Sequence, residues 1–145
     1  MGESAESGRS MDSTRDEFGR IALHYAAADE DPGLVAQLLG RGQDPNDRDR
    51  DGHTPLHLAA QYDDAEVLGL LLDAGADIDA RDSSGRTPLF TAVTSAWSSE
   101  QTVRLLRERG ADPHKKSASG SSPFRYVRRV DGPQWLKDAF ADLAD

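Results

Sequence analysis

The sequence predicts an all-α fold, a solenoid of stacked helix-turn-helix units joined by short turn and hairpin loops. A glycine recurs at positions 19, 52, 85 and 120, at intervals of 33, 33 and 35 residues. Similar tetrapeptides follow three of these glycines: Ile-Ala-Leu-His, Thr-Pro-Leu-His and Thr-Pro-Leu-Phe. A third recurring element ends in Gly-Gln-Asp or Gly-Ala-Asp. A period of roughly 20 to 50 residues is typical of repeat proteins, whose units bury their apolar faces only by stacking.

The unit that follows Gly52 predicts where its first helix begins. Thr54 is a good N-cap, and Pro55 suits the first position of a helix. His57 lies three residues after Thr54, where it helps to tie down the start of the helix. Because Ala59 and Ala60 are small, a second helix can pack closely on this one.

The second helix of the same unit is predicted from its apolar run, Val67 to Leu72. Gly75 is placed to end this helix in a left-handed conformation, whereas Gly69 lies inside it. The third unit has two extra residues between its helices, within 94–99. In the last unit, the apolar spacing from Trp135 to Phe140 predicts a closing amphipathic helix.

Residues 49–81 follow the pattern D-x-x-G-x-T-P-L-H-x-A-A, then V-L-x-L-L-L-x-x-G-A-D. This pattern resembles the ankyrin repeat family, and the resemblance extends over about residues 16–145. It implies repeats at about 16–48, 49–81 and 82–116, and a degenerate capping unit at 117–145. The first repeat has Ile21 and Ala22 in place of Thr-Pro, so its cap is predicted to be weak.

Residues 1–15 are polar and rich in small side chains, and they predict a flexible tail, with Met11 as an alternative start. The chain has no cysteine, no secretory signal and no apolar run long enough to span a membrane. These features favour a cytoplasmic location, and we expect a monomer.

The net charge of −9 is unevenly distributed along the chain. Residues 29–82 hold 14 acidic and 4 basic residues, whereas residues 83–145 hold 7 acidic and 10 basic residues. The acidic half argues against nucleic-acid binding, which needs a basic face. It favours a basic protein partner, which Asp47, Asp49, Asp51, Asp63 and Asp64 would attract.

Two patterns imitate metal sites. Asp47, Asp49, Asp51 and Gly52 begin like a calcium loop, but the twelfth position, which needs a bidentate glutamate, is Leu58. His53 precedes the Thr54 cap, so it does not share a helical face with His57. We therefore predict no metal and no cofactor. The chain also lacks a nucleophile elbow and a phosphate-binding loop, so we predict no catalytic residues and no enzyme activity.

The resemblance implies that a protein partner binds the concave surface, which the turn tips and the exposed ends of the first helices supply. Tyr62 is the preferred anchor because aromatic and arginine side chains dominate interface energies. For Tyr62, Phe18 and Trp97 the alternative is packing within the fold. The predicted binding residues are Phe18, Arg20, Arg50, Asp51, His53, Gln61, Tyr62, Arg86 and Trp97, within a wider face that adds Glu17, Arg81, Ser83, Ser84, Thr94, Ser95 and Arg129.

The predicted function is that of a non-catalytic protein-protein interaction module. One alternative is a bacterial immunity-type inhibitor of a toxin or an enzyme. The other is an adaptor or regulatory subunit of a complex.

Overall fold

The computed structural model describes residues 14–143, which form helices and turns and contain no strand. The helices come in pairs, and the first helix of each pair packs on the first helix of the next. The second helices pack on one another in the same way and form a second layer. This arrangement confirms the predicted helical solenoid. The helices are α1 (Ala22–Ala28), α2 (Pro32–Gly40), α3 (Pro55–Gln61), α4 (Ala65–Asp73), α5 (Pro88–Thr94), α6 (Glu100–Glu108), α7 (Pro123–Arg129) and α8 (Gln134–Asp138).

The inner helices are α1, α3, α5 and α7, and α3 begins as the sequence predicts. The Thr54 side chain accepts a hydrogen bond from the backbone N–H of His57, and Pro55 occupies the first helical position. Thr87 and Ser122 cap α5 and α7 in the same way. The Ile21 side chain cannot accept such a bond, as the prediction of a weak cap requires, but the Ile21 N–H donates to His24 Nδ1 at 3.1 Å.

The outer helices are α2, α4, α6 and α8, and an aspartate caps the first two of them. Asp64 caps α4 by accepting a hydrogen bond from the N–H of Val67 at 3.1 Å. At the other end, the N–H groups of Gly75 and Ala76 bond back to Leu72 and Leu71, a Schellman motif that needs a left-handed residue. Gly75 has a φ of +98°, as predicted. Asp31 caps α2, and Gly42 and Gly110 end α2 and α6.

Two features in the second half of the chain differ from the regular repeat. The loop between α5 and α6 spans residues 95–99, whereas the equivalent loop of the second repeat spans 62–64, so the two-residue insertion is confirmed. The closing helix is shorter than predicted. It ends at Asp138, and Phe140 lies in the turn that follows, although its side chain is buried.

The core lies between the two helical layers and runs the length of the stack. Small alanines on the inner helices allow the close approach of the outer helices, whose leucines and valines complete the core. No helix within residues 14–143 is long and apolar enough to cross a membrane. The fully buried aliphatic side chains include Leu23, Leu38, Leu56, Leu68, Leu71, Leu89 and Leu106.

Most of the predicted N-terminal tail, including Met11, lies outside the described residues. Arg15, assigned to that tail from the sequence, contacts the fold. Its guanidinium donates to the carbonyl oxygens of Gly19 at 2.9 Å and Arg48 at 3.1 Å, and it pairs with the Asp47 carboxylate. Arg15 therefore ties the first turn to the second.

Candidate functional site

The turns that precede the inner helices are built around an aspartate. The Asp49 carboxylate accepts hydrogen bonds from the backbone N–H groups of Asp51 and His53, both at 2.9 Å. Asp82 accepts equivalent bonds from Ser84 and Arg86. Asp16 does the same in the first turn, whereas the fourth turn has Ser117 at this position. These bonds set the direction in which each turn presents its remaining side chains.

On each of the first two turns, a side-chain nitrogen lies against the aspartate of the next turn. Arg20 Nε lies 3.2 Å from Asp49 Oδ2, and His53 Nε2 lies 3.2 Å from Asp82 Oδ2. Burial by itself would raise the pKa of Asp49, but the hydrogen bond from the His53 backbone and the Arg20 guanidinium outweigh it and lower that pKa. The charged carboxylate is thus stabilised within the turn.

The series ends at Arg86. The next turn offers Ser117, whose hydroxyl bonds to Ser119 at 2.9 Å, and no described acidic group forms an ion pair with Arg86. The Arg86 guanidinium lies 4.7 Å from the centre of the Phe90 ring, in a cation–π geometry. Phe90 occupies the position that His24 and His57 hold in the first two repeats.

Arg86 borders a groove of about 420 Å³ on the face formed by the turn tips and the inner helices, which we name the inner face. His53 and Asp82 line the groove from the turns, and Thr91 lines it from α5. Trp97, from the inserted loop, also lines the groove, and its side chain is 70% exposed.

The inserted loop is attached to the second repeat. Ser95 Oγ donates to the carbonyl oxygen of Gln61 at 2.7 Å. The Ser99 N–H and hydroxyl both donate to Asp63 Oδ1, at 2.9 and 2.8 Å. The Trp97 N–H bonds to Ser95 Oγ at 3.1 Å. The exposed indole is therefore held by a hydrogen-bonded loop.

A second aromatic cluster lies at the N-terminal end of the inner face. Arg20 stands 5.8 Å from the Phe18 ring centre and 5.5 Å from that of Tyr25, and the Tyr25 hydroxyl bonds to Asp16. Tyr25 was not among the predicted binding residues. Tyr25 follows His24 directly in the sequence. Thr91, which lines the groove, holds the equivalent position in the third repeat, so the repeat alignment could have indicated Tyr25.

The structure places the predicted binding residues at turn tips, at inner-helix ends and in the inserted loop. Arg50 and Asp51 are exposed at the second turn tip, and Gln61 and Arg86 line the groove. Tyr62 follows the last residue of α3 and is 38% exposed, and Phe18 is 54% exposed. His53 and Trp97 line the same groove, whereas Phe18 and Arg20 belong to the N-terminal cluster.

Four of the five carboxylates predicted to attract a basic partner have tasks within the fold. Asp47 pairs with Arg15, and the Asp49 side chain is 1% exposed. Asp63 holds Ser99, and Asp64 caps α4. Asp51 is the one of the five without such a task among the described contacts. Their charge still contributes to the field of the molecule, but these four carboxylates do not form a free docking patch.

Asp49 and His57, two of the residues that imitate metal sites, are engaged in protein contacts. One ligand atom from each of Asp49, Asp51 and His53 lies within 4.8 Å of the others, but Asp49 already accepts hydrogen bonds on both oxygens. Leu58, at the twelfth position of the calcium-like loop, is a buried residue of α3. Both ring nitrogens of His57 are engaged, one with the Thr54 N–H and the other with the Arg86 carbonyl.

A stack of helix pairs whose turns line one face defines a repeat solenoid, a class of protein that binds along an extended surface. The family model described as ankyrin repeats (3 copies) matches residues 23–117, and the chain belongs to the ankyrin repeat family. Members are generally protein-protein interaction modules and are typically non-catalytic. A search of curated proteins found no match.

Proposed function

We propose that this protein is a non-catalytic module that binds a protein partner on its inner face. One observation carries the proposal. The exposed large hydrophobic side chains within residues 14–143 are Phe18, Tyr25, Tyr62 and Trp97, and none of them belongs to an outer helix. Aromatic side chains of this kind supply most of the energy at protein interfaces. Their absence from the outer helices supports a binding role for the inner face.

The scaffold suits rapid and specific binding. The backbone of each of the first three turns is held by its own aspartate and by the neighbouring turn, so little order has to be gained there when a partner docks. The acidic surplus of residues 29–82 would steer a partner that carries a basic patch toward the first two repeats. In this proposal aromatic side chains provide the affinity, and the charges accelerate the encounter.

The test begins with the partner. Tagged protein is incubated with lysate of the native cells, and a captured protein is identified by mass spectrometry and produced separately. Its dissociation constant is then measured by surface plasmon resonance for the wild type and Tyr62→Ala. We expect Tyr62→Ala to raise Kd about 30-fold, equivalent to about 2 kcal/mol, mainly through faster dissociation.

Glu66→Gln is the matched control, because Glu66 is exposed on the outer helix α4. Circular dichroism confirms that both variants are folded. We expect Glu66→Gln to leave Kd within about twofold of the wild type, since surface changes outside an interface have small effects. The proposal is wrong if Glu66→Gln weakens binding and Tyr62→Ala does not.

A further inference from the structure

We infer that the third repeat carries a subsite for an acidic segment of the partner, with Arg86 binding a carboxylate and Trp97 binding an adjacent apolar side chain. The inference rests on the proposed function and specifies the chemistry of the partner at one place. It rests on two observations. The side-chain contacts that join each turn to the aspartate of the next turn stop at Arg86, and the inserted loop lies beside that point.

The interruption leaves Arg86 without an acidic partner among residues 14–143. Arg20 and His53 each lie 3.2 Å from an aspartate of the following turn, whereas Arg86 is followed by Ser117. The Asp82 carboxylate lines the same groove, but it accepts bonds from two backbone N–H groups and faces His53. The Arg86 guanidinium, on an exposed residue, is therefore available to an external anion.

The position of Arg86 favours a carboxylate. Its guanidinium packs against the Phe90 ring, which limits the orientations of the planar fork before a ligand arrives. A guanidinium fork matches the two oxygens of a carboxylate in a bidentate pair. Asp51 lies on the preceding turn and Asp82 lies on the same turn as Arg86. An extended polyanion such as a nucleic acid would meet both negative charges, whereas a single carboxylate can bind the guanidinium alone.

Trp97 supplies the apolar half of the subsite. Its side chain lines the groove that Arg86 also lines, and the bonds from Ser95 and Ser99 hold its loop to the second repeat. An indole at 70% exposure has most of its surface left to bury against a ligand. The matching segment therefore has an aspartate or glutamate next to an aromatic or aliphatic residue.

The probe is a phage-displayed library of random dodecapeptides, selected on the full-length protein. Enriched peptides are synthesised with a fluorophore, and Kd is measured by fluorescence anisotropy for the wild type, Arg86→Gln and Trp97→Ala. We expect the enriched peptides to share an acidic residue beside an apolar one. We expect each variant to bind them at least about tenfold more weakly.

Arg104→Gln is the matched control, because Arg104 is an exposed arginine of α6 that pairs with Glu100. We expect it to leave Kd within about twofold. A second comparison isolates the ion pair, as in a double-mutant cycle. When the acidic residue of the peptide is replaced by its amide, Arg86→Gln should no longer weaken binding.

Four results would overturn the inference: no enriched peptide, enrichment of peptides without an acidic residue, an Arg86→Gln effect that persists with the amide peptide, or tighter binding of a single-stranded DNA oligonucleotide through Arg86.

The two proposals can fail separately. If Tyr62→Ala weakens binding of the captured partner but Arg86→Gln and Trp97→Ala do not, the inner face is correct and the subsite is wrong. If acidic peptides bind through Arg86 while Tyr62→Ala leaves partner binding unchanged, the subsite stands without Tyr62 as the anchor.

Discussion

His57 joins two repeats through the two nitrogens of one ring. Its Nδ1 accepts a hydrogen bond from the Thr54 N–H at 3.1 Å, and its Nε2 donates to the carbonyl oxygen of Arg86 at 2.9 Å. This pattern requires the neutral ring with its proton on Nε2. His24 repeats the arrangement with Ile21 and with the carbonyl of His53. The residue that caps a helix therefore also connects it to the next repeat.

Burial lowers the pKa of His57 from 6.5 to about 4, and burial also lowers the pKa of His24. The folded state therefore favours the neutral ring, whereas the unfolded chain takes up a proton below about pH 6.5. We expect the free energy of unfolding to have its full value above pH 6.5 and to fall as the pH drops toward 4. The contribution of His57 is at most about 3 kcal/mol. Urea titrations between pH 7.5 and 4.5 measure it.

The matched variants for this prediction are His57→Gln and His114→Gln. His57→Gln should be less stable than the wild type at pH 7.5, and its stability should change less with pH. His114 is exposed and lies outside this network, so its replacement should leave the pH dependence as it is. An unchanged pH dependence in His57→Gln would contradict the role given to its neutral ring.

At the scale of a single element, α4 contains or adjoins two glycines with opposite roles. A Cβ added at Gly69 meets nothing within 4 Å, and the residue lies inside the helix. Gly75 has a φ of +98° and makes the turn that ends the helix. The first glycine therefore weakens the helix without serving the packing, and the second is required by the backbone conformation.

Gly69→Ala should stabilise the protein by up to about 1 kcal/mol, because alanine is the better helix former and the new methyl group has room. Gly75→Ala should destabilise it by about 1 kcal/mol, because an L-residue is strained in the left-handed region. The urea midpoints of the two variants should move in opposite directions. Movement in the same direction would show that one of the two glycines has been given the wrong role.

At the scale of the whole molecule, the turns stack through backbone contacts that leave no room for side chains. Added Cβ atoms at Gly19, Gly52 and Gly85 would lie 2.9, 2.7 and 2.7 Å from backbone nitrogens of the following turn. Backbone bonds such as Ser83 N–H to the Asp51 carbonyl, at 2.9 Å, connect the same turns. Neighbouring repeats are therefore held together at their turns as well as through the helical core.

A comparison of Gly85→Ala with Gly120→Ala separates the contribution of turn stacking to stability from the effect of backbone strain. Both glycines have positive φ values, +77° and +85°, so both variants carry the conformational strain. An added methyl group would collide with the Ala118 backbone only in Gly85→Ala, because nothing lies within 4 Å at Gly120. We expect Gly85→Ala to lower the free energy of unfolding by about 1 to 3 kcal/mol more than Gly120→Ala does. If urea titrations show that the two variants lose equal stability, the stacked turns can move apart without an energetic penalty.

The repeat, the helix start at Thr54 and the left-handed glycine after α4 were predictable from the sequence. The helix start and the glycine each depend on residues within a few positions of one another, where cap chemistry and backbone sterics decide the conformation. The family match then confirmed the class of protein. The closing helix was predicted too long, because the apolar spacing that marks Phe140 as buried does not distinguish a helix from a turn packed on the core.

The tertiary structure alone decided how the charges and aromatic residues of the site are arranged. Asp49, expected to attract a partner, is buried and pairs with Arg20, which lies on the preceding repeat. Arg86 has no acidic partner in the part of the chain that the structure describes, because the fourth turn begins with Ser117. Trp97 remains exposed because the inserted loop bonds to the second repeat. These contacts join residues roughly 30 positions apart in the sequence. They form only when the repeats stack, so no local pattern in the sequence contains them.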